Sequence, residues 1–168
     1  MVMKMMLASA IAMAARTMPL MPVLPGRRRT GPVVSAASGQ MEMKAAPINA
    51  DWVISGNPQA RMADHSRSED RAAYTALWDC TAGTFRWFFM WDETVHILEG
   101  EVHVTAADGS VHHLYAGDVA YFKAGTWATW RVDNYVRKVA FLRRPFPTVL
   151  ALAYSVKNRL LPAKTPSL

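Results

Sequence analysis

From Asp51 onward, apolar and polar positions alternate in short runs separated by turn residues, which is the pattern of β-strands rather than helices. Trp52-Val53-Ile54 reads as a short strand closed by Ser55-Gly56-Asn57-Pro58, and Gln59 to Arg71 reads as a polar loop. Tyr74, Ala76 and Trp78 then alternate with smaller or polar neighbours, and Thr84 to Phe89 and Thr94 to Leu98 follow as further strands. In Glu101 to Thr105 the alternation is clean: Glu101, His103 and Thr105 share one face, while Val102 and Val104 share the other and are expected to be buried. Ala107-Asp108-Gly109-Ser110 has the Asp-Gly chemistry of a tight hairpin. Val111–Tyr115, Val119–Phe122, Trp127–Val132 and Val136–Leu142 complete the series, with Asp133-Asn134 as the last interruption. Regular short strands with turns between them predict an all-β sandwich or barrel, not βαβ units.

Beyond Pro145 and Pro147 the period changes. Val149, Leu150, Ala153, Val156, Leu160 and Leu161 fall on one helical face, predicting a helix that packs across the barrel or across a partner. The expected organisation is an extension over 1–45, a barrel over 46–146, and a helix with a tail over 147–168.

Length and composition fit this picture. A chain of 168 residues, half of it hydrophobic and 19% charged, suits one domain with an ordinary core. The net charge of +6 would invite a nucleic-acid partner if it lay on a folded face. It does not: residues 1–41 hold five bases and no acid, which leaves 14 bases against 13 acids elsewhere. No nucleic-acid partner is expected. The same segment admits three readings: a secretory signal with Lys4 before the apolar run Met5 to Ala15, an organelle transit peptide, or a disordered extension. Its apolar run is too short to span a bilayer, so no membrane partner is expected and a cytoplasmic location is, with export or an organelle as the alternative. The single cysteine, Cys80, excludes an internal disulfide, fits a reducing compartment, and is expected to pack as a small hydrophobe.

Three stretches carry a family likeness: Trp78 to Trp87, Asp92 to Val102, and Ala116 to Trp127, with Trp130-Arg131-Val132 and Val136-Arg137-Lys138 after them. Leu98-Glu99-Gly100-Glu101-Val102, followed by Ala116-Gly117-Asp118 and Ala124-Gly125-Thr126, resembles the cupin superfamily, and within it the single-domain cupins related to ureidoglycine aminohydrolase. The resemblance implies a cupin jelly-roll β-barrel with the C-terminal helix appended. Metal-binding cupins take two histidines and a glutamate from a first motif and a third histidine from a second. Anchored on Gly100, the glutamate position is Glu93, but the histidine positions hold Trp87 and Phe89, or Arg86 and Phe88 by the alternative spacing. In the second motif, which begins at Gly117, Lys123 stands where proline is usual, Gly125 is as expected, and Ala128 takes the place of the histidine. A lone carboxylate binds a metal weakly, so no metal cofactor is expected. His96, His103, His112 and His113 do not replace the missing set, because their strand positions point them away from Glu93 or away from one another.

Trp87, Phe89, Trp91, Tyr121, Trp127 and Trp130 make the expected interior aromatic. Such rings fill a barrel that has no metal to coordinate, or they grip a flat or apolar ligand whose polar end meets Glu93 and Lys123. The expected pocket is Trp87, Phe89, Glu93, Tyr121, Lys123 and Trp130. Enclosed by rings, Glu93 would be desolvated, which suits a general acid or base; otherwise it is a carboxylate satisfied by Arg86, Arg131 or a backbone amide. Three functions stay open: a metal-free small-molecule-binding cupin, an enzyme on a small nitrogenous or carbohydrate-like metabolite as the resemblance implies, and a structural dimerisation module. Edge strands need cover, and cupins commonly pair through theirs, so a homodimer is expected in either case.

Overall fold

A computed structural model describes residues 31–160. The readings of residues 1–30 and of Leu161 therefore lie outside the described residues. Eight strands, β1 (Lys44–Ala45), β2 (Val53–Gly56), β3 (Ala60–Arg67), β4 (Ala73–Phe89), β5 (Asp92–Ala106), β6 (Val111–Tyr115), β7 (Val119–Phe122) and β8 (Thr126–Arg143), form one antiparallel sheet in the order β1-β3-β4-β8-β5-β6. Strand β2 also pairs with β4, and β7 with β5. The sheet curls into the expected jelly-roll barrel, followed by a C-terminal helix, α1 (Thr148–Leu160).

Three long strands replace six of the predicted short ones. The stretches on either side of Gly83 are one strand, β4, and those on either side of Asp133-Asn134 are one strand, β8. Bulges separate their halves. Pairing shifts between Thr81 and Gly83 in β4, and again around Glu99 to His103 in β5. An extra residue reverses which parity faces inward. Thus β4 buries Trp78 and Cys80 before its bulge and Phe85 and Phe89 after it, while β5 buries Glu93, Val95 and Ile97 and then Val102 and Val104. Gly100 makes the second switch possible: its φ is +72°, and a Cβ there would stand 1.9 Å from the carbonyl oxygen of Tyr135.

Two segments differ from the sequence reading. Ala60–Arg67, expected as loop, is strand β3; only Ala60 and Met62 face inward among polar neighbours, too few to mark a hydrophobic period, and its order comes from pairing with β4. The sheet also reaches back to Lys44-Ala45, within the expected extension, where β1 pairs with Met62 and Arg61 of β3. Helix α1 forms as predicted but does not pack on the barrel. Every one of its residues whose side chain is described is exposed, including Val149, Leu150 and Val156. Pro145 and Pro147 cannot donate to a ladder, so pairing ends at Arg143 and the chain leaves the sheet. Among the described residues no helix is long and apolar enough to cross a membrane.

Candidate functional site

One end of the barrel is filled. Phe85, Val95, Ile97, Val102, Val104, Trp130, Val132 and Val136 are at most 2% exposed and leave no room for a ligand. Toward the other end the inward positions of β4 and β8 become Ala76 and Ala140, and the space they give up is a cavity of about 260 Å³. Tyr74, Ala76, Trp78 and Trp87 of β4, Glu93 of β5, and Lys138, Ala140 and Leu142 of β8 line it. Met62 of β3 and the Ala46-Pro47 segment that follows β1 complete the wall.

Glu93 and Lys138 are the charged groups of this lining, exposed by only 5% and 4%. The Lys138 ammonium donates to Glu93 Oε1 at 2.5 Å. Its Nζ also lies 5.1 Å from the centre of a Trp78 ring and 4.6 Å from that of a Trp130 ring. The negative faces of the two indoles partly replace the water that the ammonium has lost. Among the described residues neither charged group makes a further hydrogen bond. Lys138 has three donors and a carboxylate about four acceptor positions, so most of the pair's bonding capacity is unused. The Trp78 indole N–H, in the wall of the same cavity, is buried without a partner.

The expected pocket residues separate into three groups. Trp87 and Glu93 line the cavity. Phe89 and Trp130 are core: Phe89 stacks on Phe122 with ring centres 4.3 Å apart, and Trp130 stacks on Phe85 beneath the ammonium. Tyr121 and Lys123 lie outside the barrel, because β7 presents Ala120 and Phe122 to the core and turns the residues between and beyond them to solvent. Tyr121 instead donates to Asp92 Oδ1 at 2.9 Å, beside the backbone N–H of Ala124 at 3.0 Å. These two donors, the amide first, hold the Asp92 carboxyl below its ordinary pKa, with Arg143 adding to the effect. Trp91 packs edge-on to Tyr74, and Trp127 lies under the Arg86 guanidinium at 4.5 Å; neither reaches the cavity. The partner of Glu93 is thus neither Arg86 nor Arg131, which pair with Trp127 and Asp133 on the outer surface.

Sequence reading missed Lys138. The signal was present: in Val136-Arg137-Lys138-Val139-Ala140 the period of two places Lys138 on the same face as Val136 and Ala140, a charge in a core position. Cys80 is fully buried, and burial, helped by the nearby Asp79 charge, pushes its thiol up to about 12, so it packs as a small hydrophobe.

A metal of the cupin kind does not fit these residues. The histidine positions present the carbon surfaces of Trp87, Phe89 and Ala128, and an ammonium already occupies the one carboxylate, where it would repel a cation. Among the described residues no group of three histidine, cysteine, aspartate or glutamate side chains is placed to hold a metal ion. His103 and His113 stack with ring centres 3.7 Å apart on the outer surface and are bound to Asp133 and Glu101, away from Glu93.

Comparison with known proteins agrees with the fold. Residues 67–140 match the family model of the EutQ-like cupin domain. A solved protein of unknown function from Pseudomonas syringae pv. tomato is 22% identical, with a TM-score of 0.57 over 61% of this chain and 45% of that one. This chain thus spans less than half the length of the Pseudomonas protein. A predicted oxalate decarboxylase from Thermotoga maritima is 17% identical, with a TM-score of 0.52 over 67% of this chain and 99% of its own. The EutQ protein of Clostridium difficile is 16% identical over 51% of this chain and 63% of its own, with a TM-score of 0.45. No curated protein matches the chain. The strand order, the curled antiparallel sheet and the likeness to the Pseudomonas and Thermotoga structures together give the barrel that holds the Glu93–Lys138 cavity the cupin fold.

Proposed function

We propose that the protein binds a small organic molecule in the Glu93–Lys138 cavity without a metal. The observation that carries this reading is a buried ion pair in the wall of a largely apolar cavity, with most of its hydrogen-bonding capacity left unused by the protein. Burying such a pair costs several kcal/mol per ion before their attraction is counted, and a purely structural pair recovers that cost through a saturated set of partners. Here the missing partners are the polar atoms of a ligand. The walls supply Tyr74, Trp78, Trp87 and Leu142 for a ring or short chain, and the cavity of about 260 Å³ lies just below the ~300–1,000 Å³ range of drug-sized ligand sites. The ligand is therefore a single ring or a short chain with one polar end. Because the pair is neutral as a whole, a neutral polar end meets both members without leaving a like charge beside either.

Native mass spectrometry of the full chain against a library of single-ring compounds, each bearing one polar group, tests this. Bound fragments are expected at one per chain, and Trp87→Ala, which removes a wall but leaves the ion pair, is expected to weaken them. Absence of any bound fragment, or retention unchanged in Trp87→Ala, contradicts the assignment.

A further inference from the structure

The cavity holds the elements of one specific reaction, and the inference rests on the ligand-binding reading above. We propose that Lys138 captures a small aldehyde or ketone as a reversible Schiff base, with Glu93 carrying the protons. An amine nucleophile needs a general base to free its lone pair and an acid to expel water, in a site dry enough to favour the imine. Lys138 and Glu93 provide the first two at 2.5 Å from each other, and the indoles of Trp78 and Trp130 provide the third. The aromatic wall suits the substituent of the carbonyl compound, and Glu93 and Lys138 suit its oxygen.

The step balances within the pair. Lys138 gives one ammonium proton to Glu93, and the freed lone pair on Nζ attacks the carbonyl carbon as the carbon–oxygen π electrons move to oxygen. The protonated Glu93 delivers its proton to that oxygen, then takes a second proton from Nζ, leaving a neutral carbinolamine. Returning this proton to the hydroxyl expels water as the nitrogen lone pair closes the carbon–nitrogen double bond. The product is an iminium on Lys138 facing the Glu93 carboxylate, so the site begins and ends as an ion pair and one water is released. No oxidant, reductant or metal enters.

Benzaldehyde with sodium cyanoborohydride, which reduces an iminium to a stable secondary amine, tests this on the full-length protein. Peptide mapping is expected to place the first benzyl adduct on Lys138, ahead of the exposed Lys44, Lys123 and Lys157. Lys138→Arg keeps the charge pair but lacks a primary amine, and is expected to lose the fast adduct altogether. Glu93→Gln is expected to slow it about 100-fold, the usual worth of a positioned acid or base. Benzyl alcohol, which has no carbonyl, separates this proposal from the one it rests on. If benzyl alcohol raises the melting temperature while Lys138 reacts no faster than the surface lysines, the Schiff base is refuted and ligand binding stands. If benzyl alcohol has no effect and Lys138 stays unmodified, both are refuted.

Discussion

Two buried carboxylates are held from β8 by residues three apart, Tyr135 and Lys138, yet they lie on opposite faces of the sheet and differ in how fully they are bonded. On the outer face Asp79 is 2% exposed and accepts from Arg61 Nε at 3.1 Å, from the second Arg61 nitrogen at 2.7 Å and from the Tyr135 hydroxyl at 3.0 Å. Its two oxygens are used by a forked guanidinium and a phenol, a geometry that recovers much of the cost of burial. Burial, then the bond to Asp79, holds the Tyr135 phenol above its ordinary pKa, so it stays a donor throughout the neutral range. On the inner face Glu93 accepts from Lys138 alone. The first arrangement ties strands β3, β4 and β8 together. The second is as deeply buried but incomplete, and incompleteness beside a cavity is what a ligand site requires.

The contrast predicts graded effects. The largest follows from Lys138→Met, which strands the Glu93 charge in the barrel and is expected to cost about 3–5 kcal/mol in urea denaturation. Adding Glu93→Leu to that variant is expected to restore the loss, since a matched apolar pair needs no compensation. Next, Asp79→Asn keeps the shape but removes the charge that three donors share, and is expected to cost about 2 kcal/mol, the worth of hydrogen bonds to an ionised group. Fragment binding should be unchanged, because the side chain faces away from the cavity. Tyr135→Phe removes one of those donors and is expected to cost about 1 kcal/mol by the same measurement. A loss of ligand binding in either outer variant would erase the distinction between the two faces.

The smallest effect concerns a third carboxylate, Asp92, just outside the barrel. Its folded pKa is lowered, so its stabilisation is complete above the ordinary aspartate value of about 3.9 and fades as pH falls below that toward the folded value. Tyr121→Phe removes one of its donors. It is expected to cost a little stability near neutrality, a difference from the wild type that closes as pH falls through the folded value, and to leave fragment binding almost unaltered. A loss of binding would return Tyr121 to the ligand site.

These particulars show what the sequence makes legible. Gly100, the Asp108-Gly109 turn and the alternation of Val102 and Val104 are local signals that tertiary structure does not override, and with the cupin cadence they were enough for the barrel. Strand β3 is hidden because only Ala60 and Met62 of it face inward among polar neighbours, and strand order there is imposed by β4. The loss of metal ligands could be counted along the chain, since motif spacing fixes positions on one strand. The partner of Glu93 could not, because Lys138 lies 45 residues away and meets it only through the pairing of β5 with β8. Tyr121 and Lys123 were drawn toward the pocket by residue type, whereas the phase of β7 turns them to solvent. Chemistry along one strand was readable; chemistry between strands was not.

The most direct test is urea denaturation of the wild-type chain and of the Glu93→Leu/Lys138→Met double variant, each with and without a saturating cavity fragment. The inner pair is held for the ligand, so the double variant is expected to match or exceed the wild type in stability, while the fragment raises the midpoint of the wild type alone. A double variant that is strongly destabilised yet still stabilised by the fragment would contradict this, and would make Glu93 and Lys138 a structural pair like Asp79 and Arg61.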